Sequence, residues 1–181
     1  MSQQLYFLAL IPPPEIEAEV NHFKSIASQK FGSSHALKSP AHITLIPPFW
    51  WQEARLEHIV VVLQQQLIRS KQFEIELNGF ACFKPRVIYI DVMPNSDLSR
   101  QHLLLKELFK RQWSLEPERR THYRPHMTVA FKDLSKSSFF RAWDYFRSQD
   151  YRRRFTVDSI YILVHLYGRW SVRSQIPLEK N

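Results

Sequence analysis

The segment SPAHITLIPPF at residues 39–49 is matched by YRPHMTVAF at residues 123–131, and this pair of segments decides the fold. Each segment contains one His-x-Thr triplet: His42 with Thr44, and His126 with Thr128. The second histidine follows the first by 84 residues. When the rest of the chain is shifted by this offset, segments of the same type coincide, so the sequence predicts an internal duplication.

The first half of the chain predicts the order strand, helix, strand, helix, strand. Apolar runs and alternation indicate the strands, and apolar residues at helical spacing indicate the helices. The predicted strands cover residues 5–11, 41–46 and 73–80, and the helices cover about 13–31 and 56–67. We expect the second strand to end at Pro47 and Pro48, because proline cannot donate to a strand ladder.

The second half repeats this order. Strands are predicted at residues 87–93, 126–131, 154–166 and 170–178, with helices from about Asp97 and around residues 139–146. The pattern favours two packed copies of a β-α-β-α-β unit, with room for an extra strand, covering approximately residues 1–84 and 85–181 of a single domain. An α+β or mixed α/β class follows.

Composition limits the kinds of protein that are possible. The formal charge of +8 and the pI near 9.7 favour polyanionic ligands such as nucleic acid, although many basic proteins only have a solvated surface. Cys82 is the only cysteine, so no intramolecular disulfide can form and a cytoplasmic location is expected. No apolar run is long enough to span a bilayer, and three glycines leave no room for a Gly-rich phosphate loop.

The two triplets predict a cleft with paired chemistry. Side chains alternate along a strand, so each histidine shares a face with its threonine, and the apolar neighbours anchor the opposite face. Two imidazoles can divide the work of a general base and a general acid at a phosphodiester, because their ordinary pKa lies near neutrality. Threonine hydroxyls can donate to phosphoryl oxygens. No close-spaced ligand set indicates a metal, and no cofactor is expected.

The chain resembles the 2H phosphoesterase superfamily, whose signature is two His-x-Ser/Thr-x-apolar motifs. With a proline just upstream of each histidine, it is most similar to the 2′-5′ RNA ligase-like or RNA 2′,3′-cyclic phosphodiesterase branch. The resemblance implies an α+β, duplicated bilobal fold, with antiparallel sheets flanking a central cleft and helices outside. It also implies that His42 and His126 are catalytic, that Thr44 and Thr128 bind phosphate, and that a 2′,3′-cyclic phosphate is hydrolysed to a monoester, with 2′-5′ ligation as a reverse activity.

Several neighbours of the motifs are secondary candidates. Arg124 is a candidate phosphate ligand, and Tyr123 is a candidate for stacking on a base. Phe49, Trp50 and Trp51 are further candidates for stacking on a base, and core or rim packing is the favoured role for all four aromatic residues. We expect His35, His122 and His165 to be structural, Cys82 to be a buried strand residue, and the arginines at 119–120 and 152–154 to lie on a solvated face.

Three functions remain open at this stage. The first is a metal-independent phosphodiesterase acting on RNA with a 2′,3′-cyclic phosphate end or on a nucleotide. The second is a non-catalytic RNA- or nucleotide-binding protein that uses the same cleft. The third is a phosphodiesterase of small cyclic or 2′-5′ linked nucleotides. We expect a monomer that does not associate with membranes.

Overall fold

The computed structural model describes residues 2–116 and 122–180, and its elements follow the predicted order. The strands are β1 (Gln3–Leu10), β2 (Ile43–Gln52), β3 (Phe73–Phe83), β4 (Val87–Val92), β5 (His126–Ala130), β6 (Arg152–Val157), β7 (Ser159–Leu166) and β8 (Arg169–Pro177). The helices are α1 (Pro14–Phe31), α2 (Leu56–Leu67), α3 (Ser96–Trp113) and α4 (Lys136–Phe146). Short 3-10 helices cover His35–Lys38 and Glu53–Arg55.

All eight strands form one sheet in the order β6-β3-β4-β5-β2-β1-β7-β8. Every neighbouring pair is antiparallel. At the centre, β2 and β5 pair only at Ile43 and Met127. The sheet therefore consists of two four-stranded halves joined at the two motif strands, which confirms the predicted α+β class and the antiparallel strands.

Each half of the sheet takes strands from both halves of the chain. Strand β3 lies between β6 and β4, whereas β7 lies between β1 and β8. The 84-residue offset carries β3 onto β7, so the two copies exchange equivalent strands: each contributes this strand to the other half of the sheet. The division into repeats of 1–84 and 85–181 stays a prediction, and it does not coincide with the two halves of the sheet.

The hydrophobic core lies between the sheet and the helices. Ile43 and Leu45 of β2, and Met127 and Val129 of β5, are completely buried on this face. Helix α1 packs on β5, and α3 packs on β2, so each helix covers the motif strand of the other copy. This arrangement confirms that the helices lie outside and leaves the opposite face of the motif strands for the histidines.

Helix ends follow their local sequences. Pro13 and Pro14 begin α1, where a missing backbone N–H costs nothing, and Gly32 ends it with a φ of 72° that favours glycine. The side chain of Asn95 caps α3 by accepting from the Leu98 N–H, and Ser135 caps α4 by accepting from the Ser138 N–H.

Two predicted boundaries are wrong. Strand β2 continues through Pro47 and Pro48 to Gln52. The prolines are tolerated because the ladder with β1 shifts register between Tyr6 and Leu8, and because β2 pairs with β5 only at Ile43.

The single strand predicted over residues 154–166 is two strands, β6 and β7, separated at Asp158. They pair with β3 and β1, respectively, at opposite ends of the sheet, so one continuous strand cannot serve both. The Asp158 carbonyl instead accepts a hydrogen bond from the Leu178 N–H.

Within the described residues, no helix combines the length and the apolar character needed to cross a membrane.

Candidate active site

The register of β2 and β5 brings the two motifs face to face. Because Ile43 is paired with Met127 in an antiparallel bridge, His42 lies opposite Thr128, and Thr44 lies opposite His126. The four polar side chains line the same cleft, which has a volume of about 310 Å³. The convergence predicted from the duplicated motif is therefore present.

Both histidine rings are held by the backbone in the same way. The His42 Nδ1 lies 2.8 Å from the Pro40 carbonyl oxygen, and the His126 Nδ1 lies 2.7 Å from the Arg124 carbonyl oxygen. A carbonyl can only accept, so Nδ1 carries the proton in each ring, and in a neutral ring Nε2 is then the proton acceptor. Each ring is thus oriented with Nε2 on the side away from its own backbone.

The surroundings of His42 favour its neutral form. Burial in the cleft lowers the pKa of His42 to about 4, against a smaller opposing effect of its hydrogen bond to Pro40. The positive charges of Lys24 and His126 contribute smaller parts of the same downward shift. At neutral pH the His42 imidazole is therefore uncharged and able to accept a proton.

Lys24 is the unusual group beneath the site. Only 1% of Lys24 is exposed, and its Nζ donates to the Ser39 carbonyl at 2.9 Å, one residue before the carbonyl that holds His42. Burial lowers the pKa of Lys24 to about 8, and attraction to Glu17 opposes this shift. Lys24 therefore places a positive charge inside the protein and fixes the segment that orients His42.

Aromatic side chains form the walls of the cleft. The Phe7 ring contacts the His42 ring at a centroid distance of 4.9 Å, and the Phe83 and Tyr89 rings each contact the His126 ring at 5.1 Å. Trp170 packs edge-on against Phe7 at 4.6 Å. These apolar walls exclude water from the sides of the imidazoles and explain the desolvation of His42.

Tyr123 and Arg124 have their observed contacts outside the cleft lining. The Tyr123 hydroxyl donates to the Thr44 carbonyl at 2.8 Å, and its ring stacks on His102 at 3.8 Å. The His102 Nδ1 lies 2.9 Å from the Leu45 carbonyl oxygen. Tyr123 and His102 thus hold the backbone of β2 beside the motif. The exposed side chain of Arg124 lines a separate groove, and its contribution to the cleft is the carbonyl that holds His126.

Two histidines of the cleft were missed by sequence reasoning. His35 and His165 line it together with Lys38 and Trp170. The structure places His165 on the same face as Phe7, because β7 pairs with β1 and side chains alternate along a strand, but that pairing depends on contacts that are distant in sequence. His35 follows α1 in an irregular segment, where no periodicity could have indicated its direction.

Two further candidates, Phe49 and Cys82, do not line the cleft. Phe49 is buried against Tyr6 and Phe109, so packing explains it. Burial raises the pKa of the Cys82 thiol, which disfavours a thiolate nucleophile there.

The described basic clusters form ion pairs on the surface. Arg152 and Arg154 both pair with Glu76, and Arg153 pairs with Glu19. These contacts agree with the expected solvated face. Arg119 and Arg120 lie outside the described residues. Within residues 2–116 and 122–180, no group of three His, Cys, Asp or Glu side chains is placed to hold a metal ion.

A duplicated antiparallel fold with two His-x-Thr motifs facing one cleft defines the class of two-histidine, or 2H, phosphoesterases. The family model described as the 2′-5′ RNA ligase superfamily matches residues 12–169, and the chain belongs to this superfamily.

Similar proteins agree with this assignment over nearly the whole chain. A Geobacillus kaustophilus protein, whose name describes a phosphoesterase of unconfirmed activity, is 28% identical over 170 residues, covering 92% of each chain. Escherichia coli LigT complexed with 3′-AMP has a TM-score of 0.71 at 17% identity, covering 98% of this chain and 99% of LigT. A protein from Thermus thermophilus has a TM-score of 0.69 at 15% identity, covering 97% of each chain. These two structures support the fold.

Proposed function

We propose that this protein is a metal-independent phosphodiesterase that hydrolyses 2′,3′-cyclic phosphates on RNA ends or nucleotides, with His42 and His126 as its acid and base pair. The observation that carries the proposal is the matched pair of imidazoles in one cleft, each held through Nδ1 by a carbonyl two residues upstream. The basic charge of the chain and the 3′-AMP complex of the structurally similar LigT support a nucleotide ligand.

Each of the two histidines performs one proton transfer of the proposed hydrolysis. In the proposed reaction, neutral His42 accepts a proton from water through Nε2 while the water oxygen bonds to phosphorus. The bond between phosphorus and one ribose oxygen breaks, and His126, entering as imidazolium, donates its Nε2 proton to that oxygen. The product is a phosphomonoester beside a free hydroxyl. Each proton transfer of this kind contributes roughly 10²- to 10⁴-fold to the rate.

The threonines have a supporting role in this proposal. The hydroxyls of Thr44 and Thr128 donate to the non-bridging oxygens, where negative charge must be held during displacement. If a ribose 5′-hydroxyl replaces water as the attacking group and the 3′ oxygen is the one that leaves and takes the proton, the same steps form a 2′-5′ phosphodiester. This is the basis for proposing ligation as a second outcome of the same chemistry.

The decisive experiment incubates the purified protein with 2′,3′-cyclic phosphate-ended oligoribonucleotides and nucleoside 2′,3′-cyclic phosphates, with and without a chelator. We expect monoester products that survive chelation and disappear in His42→Ala and His126→Ala variants. Turnover that is lost on chelation would contradict the metal-independent mechanism. Ligand binding without turnover would instead identify a binding protein that uses the cleft.

We also propose that the protein acts as a monomer, because both histidines and both threonines come from one chain. Sedimentation measured alongside activity tests this point. The cytoplasmic location expected from the single cysteine stays a prediction.

A further inference from the structure

The cleft contains a second group of basic side chains that the proposed hydrolysis does not use. His35 and Lys38 lie on the 3-10 helix over His35–Lys38, and His165 lies near the end of β7. All three line the same cleft as the motif residues. In the described part of the chain, no aspartate or glutamate lines this cleft. We call His35, Lys38 and His165 the basic rim.

Ring contacts place two of the rim residues on different sides of the cleft. The His165 ring contacts Trp170 at 4.9 Å, Trp170 contacts Phe7 at 4.6 Å, and Phe7 contacts His42 at 4.9 Å. The His35 ring packs edge-on against Phe131 at 5.0 Å. His165 is therefore connected to the proposed general base through three successive ring contacts, whereas His35 packs beside the segment that follows β5.

Asp133 holds the part of the rim that carries His35. The carboxylate of Asp133 accepts from the Ser33 hydroxyl and from the N–H groups of Ser34 and His35, each at 2.9 Å. These bonds tie the short helix to the segment after β5. They use the carboxylate oxygens for anchoring the backbone, so both Asp133 oxygens are already engaged.

The electrostatics of the rim favour an anion. The pKa of His35 is lowered first by burial and then by Lys132, Lys38 and His165, whereas Asp133 raises it. An anion that binds among these groups would counter the repulsion that lowers the pKa of His35 and would favour the protonated form of its ring.

We propose that the basic rim binds a second phosphate group of the substrate, on the 5′ side of the nucleotide whose cyclic phosphate lies between His42 and His126. This inference rests on the proposed function and adds a substrate class to it. A nucleoside 2′,3′-cyclic phosphate has one phosphate, which the motif residues already engage. A nucleotide with a 5′-phosphate, or an oligonucleotide end, has a further phosphate that the rim can bind.

The test compares kcat/KM for adenosine 2′,3′-cyclic phosphate, the same compound with a 5′-phosphate, and a dinucleotide ending in a 2′,3′-cyclic phosphate. One additional charge-assisted contact predicts a preference of about tenfold or more for the second phosphate. Lys38→Met and His165→Gln should reduce this ratio toward one. Lys136→Gln, which changes an exposed lysine away from the cleft, should leave the ratio unchanged.

The arms of the test separate the possible results. Preference for the 5′-phosphorylated mononucleotide alone identifies a phosphomonoester site, and preference for the dinucleotide identifies an RNA-end site. Equal rates on all three substrates, or a ratio that the rim variants do not change, would overturn the inference.

A binding measurement keeps the inference testable if no turnover occurs. Adenosine 3′,5′-bisphosphate should then bind about tenfold more tightly than adenosine 3′-monophosphate by calorimetry, and Lys38→Met should remove the difference. Loss of turnover with this difference retained would reject the proposed hydrolysis and keep the rim. Equal affinities would reject the rim.

Discussion

The two sides of the cleft share one backbone geometry but differ in what lies beneath them. On the first side, Lys24 of α1 is buried and donates to the segment that holds His42. The 84-residue offset places Lys24 on Leu108 of α3, which is only 2% exposed. Both copies therefore have the hydrogen bond that orients the imidazole. The equivalent helix position, however, has a buried charge at Lys24 and a buried apolar group at Leu108. Because the Lys24 charge lowers the pKa of His42, this difference can favour the base role for His42 and the acid role for His126 in the proposed reaction.

The largest effect should come from removing either histidine. His42→Asn and His126→Asn should each lower kcat by about 10²- to 10⁴-fold, because each removes one proton transfer of the proposed hydrolysis. The double variant should be little worse than either single variant, since groups that act as a unit are not additive. Single-turnover rates on a cyclic phosphate measure this. Multiplicative losses would show that the two sides act independently.

Lys24→Met tests the difference between the two helices. The fold holds Lys24 with a pKa of about 8, below its ordinary value of 10.5, so the buried charge costs stability at neutral pH. After allowing for the lost bond to Ser39, the variant should be more stable by about 2 kcal/mol at pH 7. This advantage should shrink between pH 8 and 10.5, where the native lysine loses its proton.

The same variant should also change catalysis. Removing the Lys24 charge takes away one of the effects that lower the pKa of His42, so the acidic limb of the pH–rate profile should move to higher pH. Denaturant unfolding and the pH profile are measured on the same preparation. A variant that is less stable at pH 7 and keeps the native acidic limb would show that Lys24 is only a structural residue.

The surroundings of His42 also predict a pH-dependent stability. Its folded pKa of about 4 is below the ordinary value of 6.5, so the unfolded chain binds the proton first as the pH falls. Relative to His42→Gln, the native protein should lose on the order of 1–2 kcal/mol between pH 6.5 and 4, allowing for the partial exposure of the ring. Urea unfolding across this range compares the two proteins, and parallel curves would contradict the prediction.

The smallest effect concerns the bond that supports β2 beside Thr44. Tyr123→Phe removes the hydroxyl that donates to the Thr44 carbonyl but keeps the ring that stacks on His102. The free energy of unfolding should fall by about 1 kcal/mol. Tyr167→Phe is the matched control, because Tyr167 is fully exposed, and it should change stability by less than about 0.5 kcal/mol. Equal effects of the two variants would show that the bond contributes nothing specific.

The motif pair was predictable because it depends on local rules. Alternation places His42 and Thr44 on one face, and the repeated spacing identifies His126 and Thr128 as their counterparts. The exchange of β3 and β7 was not predictable from periodicity, because pairing partners depend on contacts that are distant in sequence. For the same reason, the sequence does not indicate that Lys24 is buried, since its burial follows from packing against another segment.

The exchange of β3 and β7 predicts how the protein responds to a break in its backbone between the two copies. A backbone cut in the turn at residues 84–86 would leave β3 on one fragment and its neighbours β4 and β6 on the other. Neither piece can complete a four-stranded sheet alone, so fragments 1–84 and 85–181 should remain associated after nicking and should restore one another when they are produced separately. Complementation, rather than independent folding, is what this topology requires.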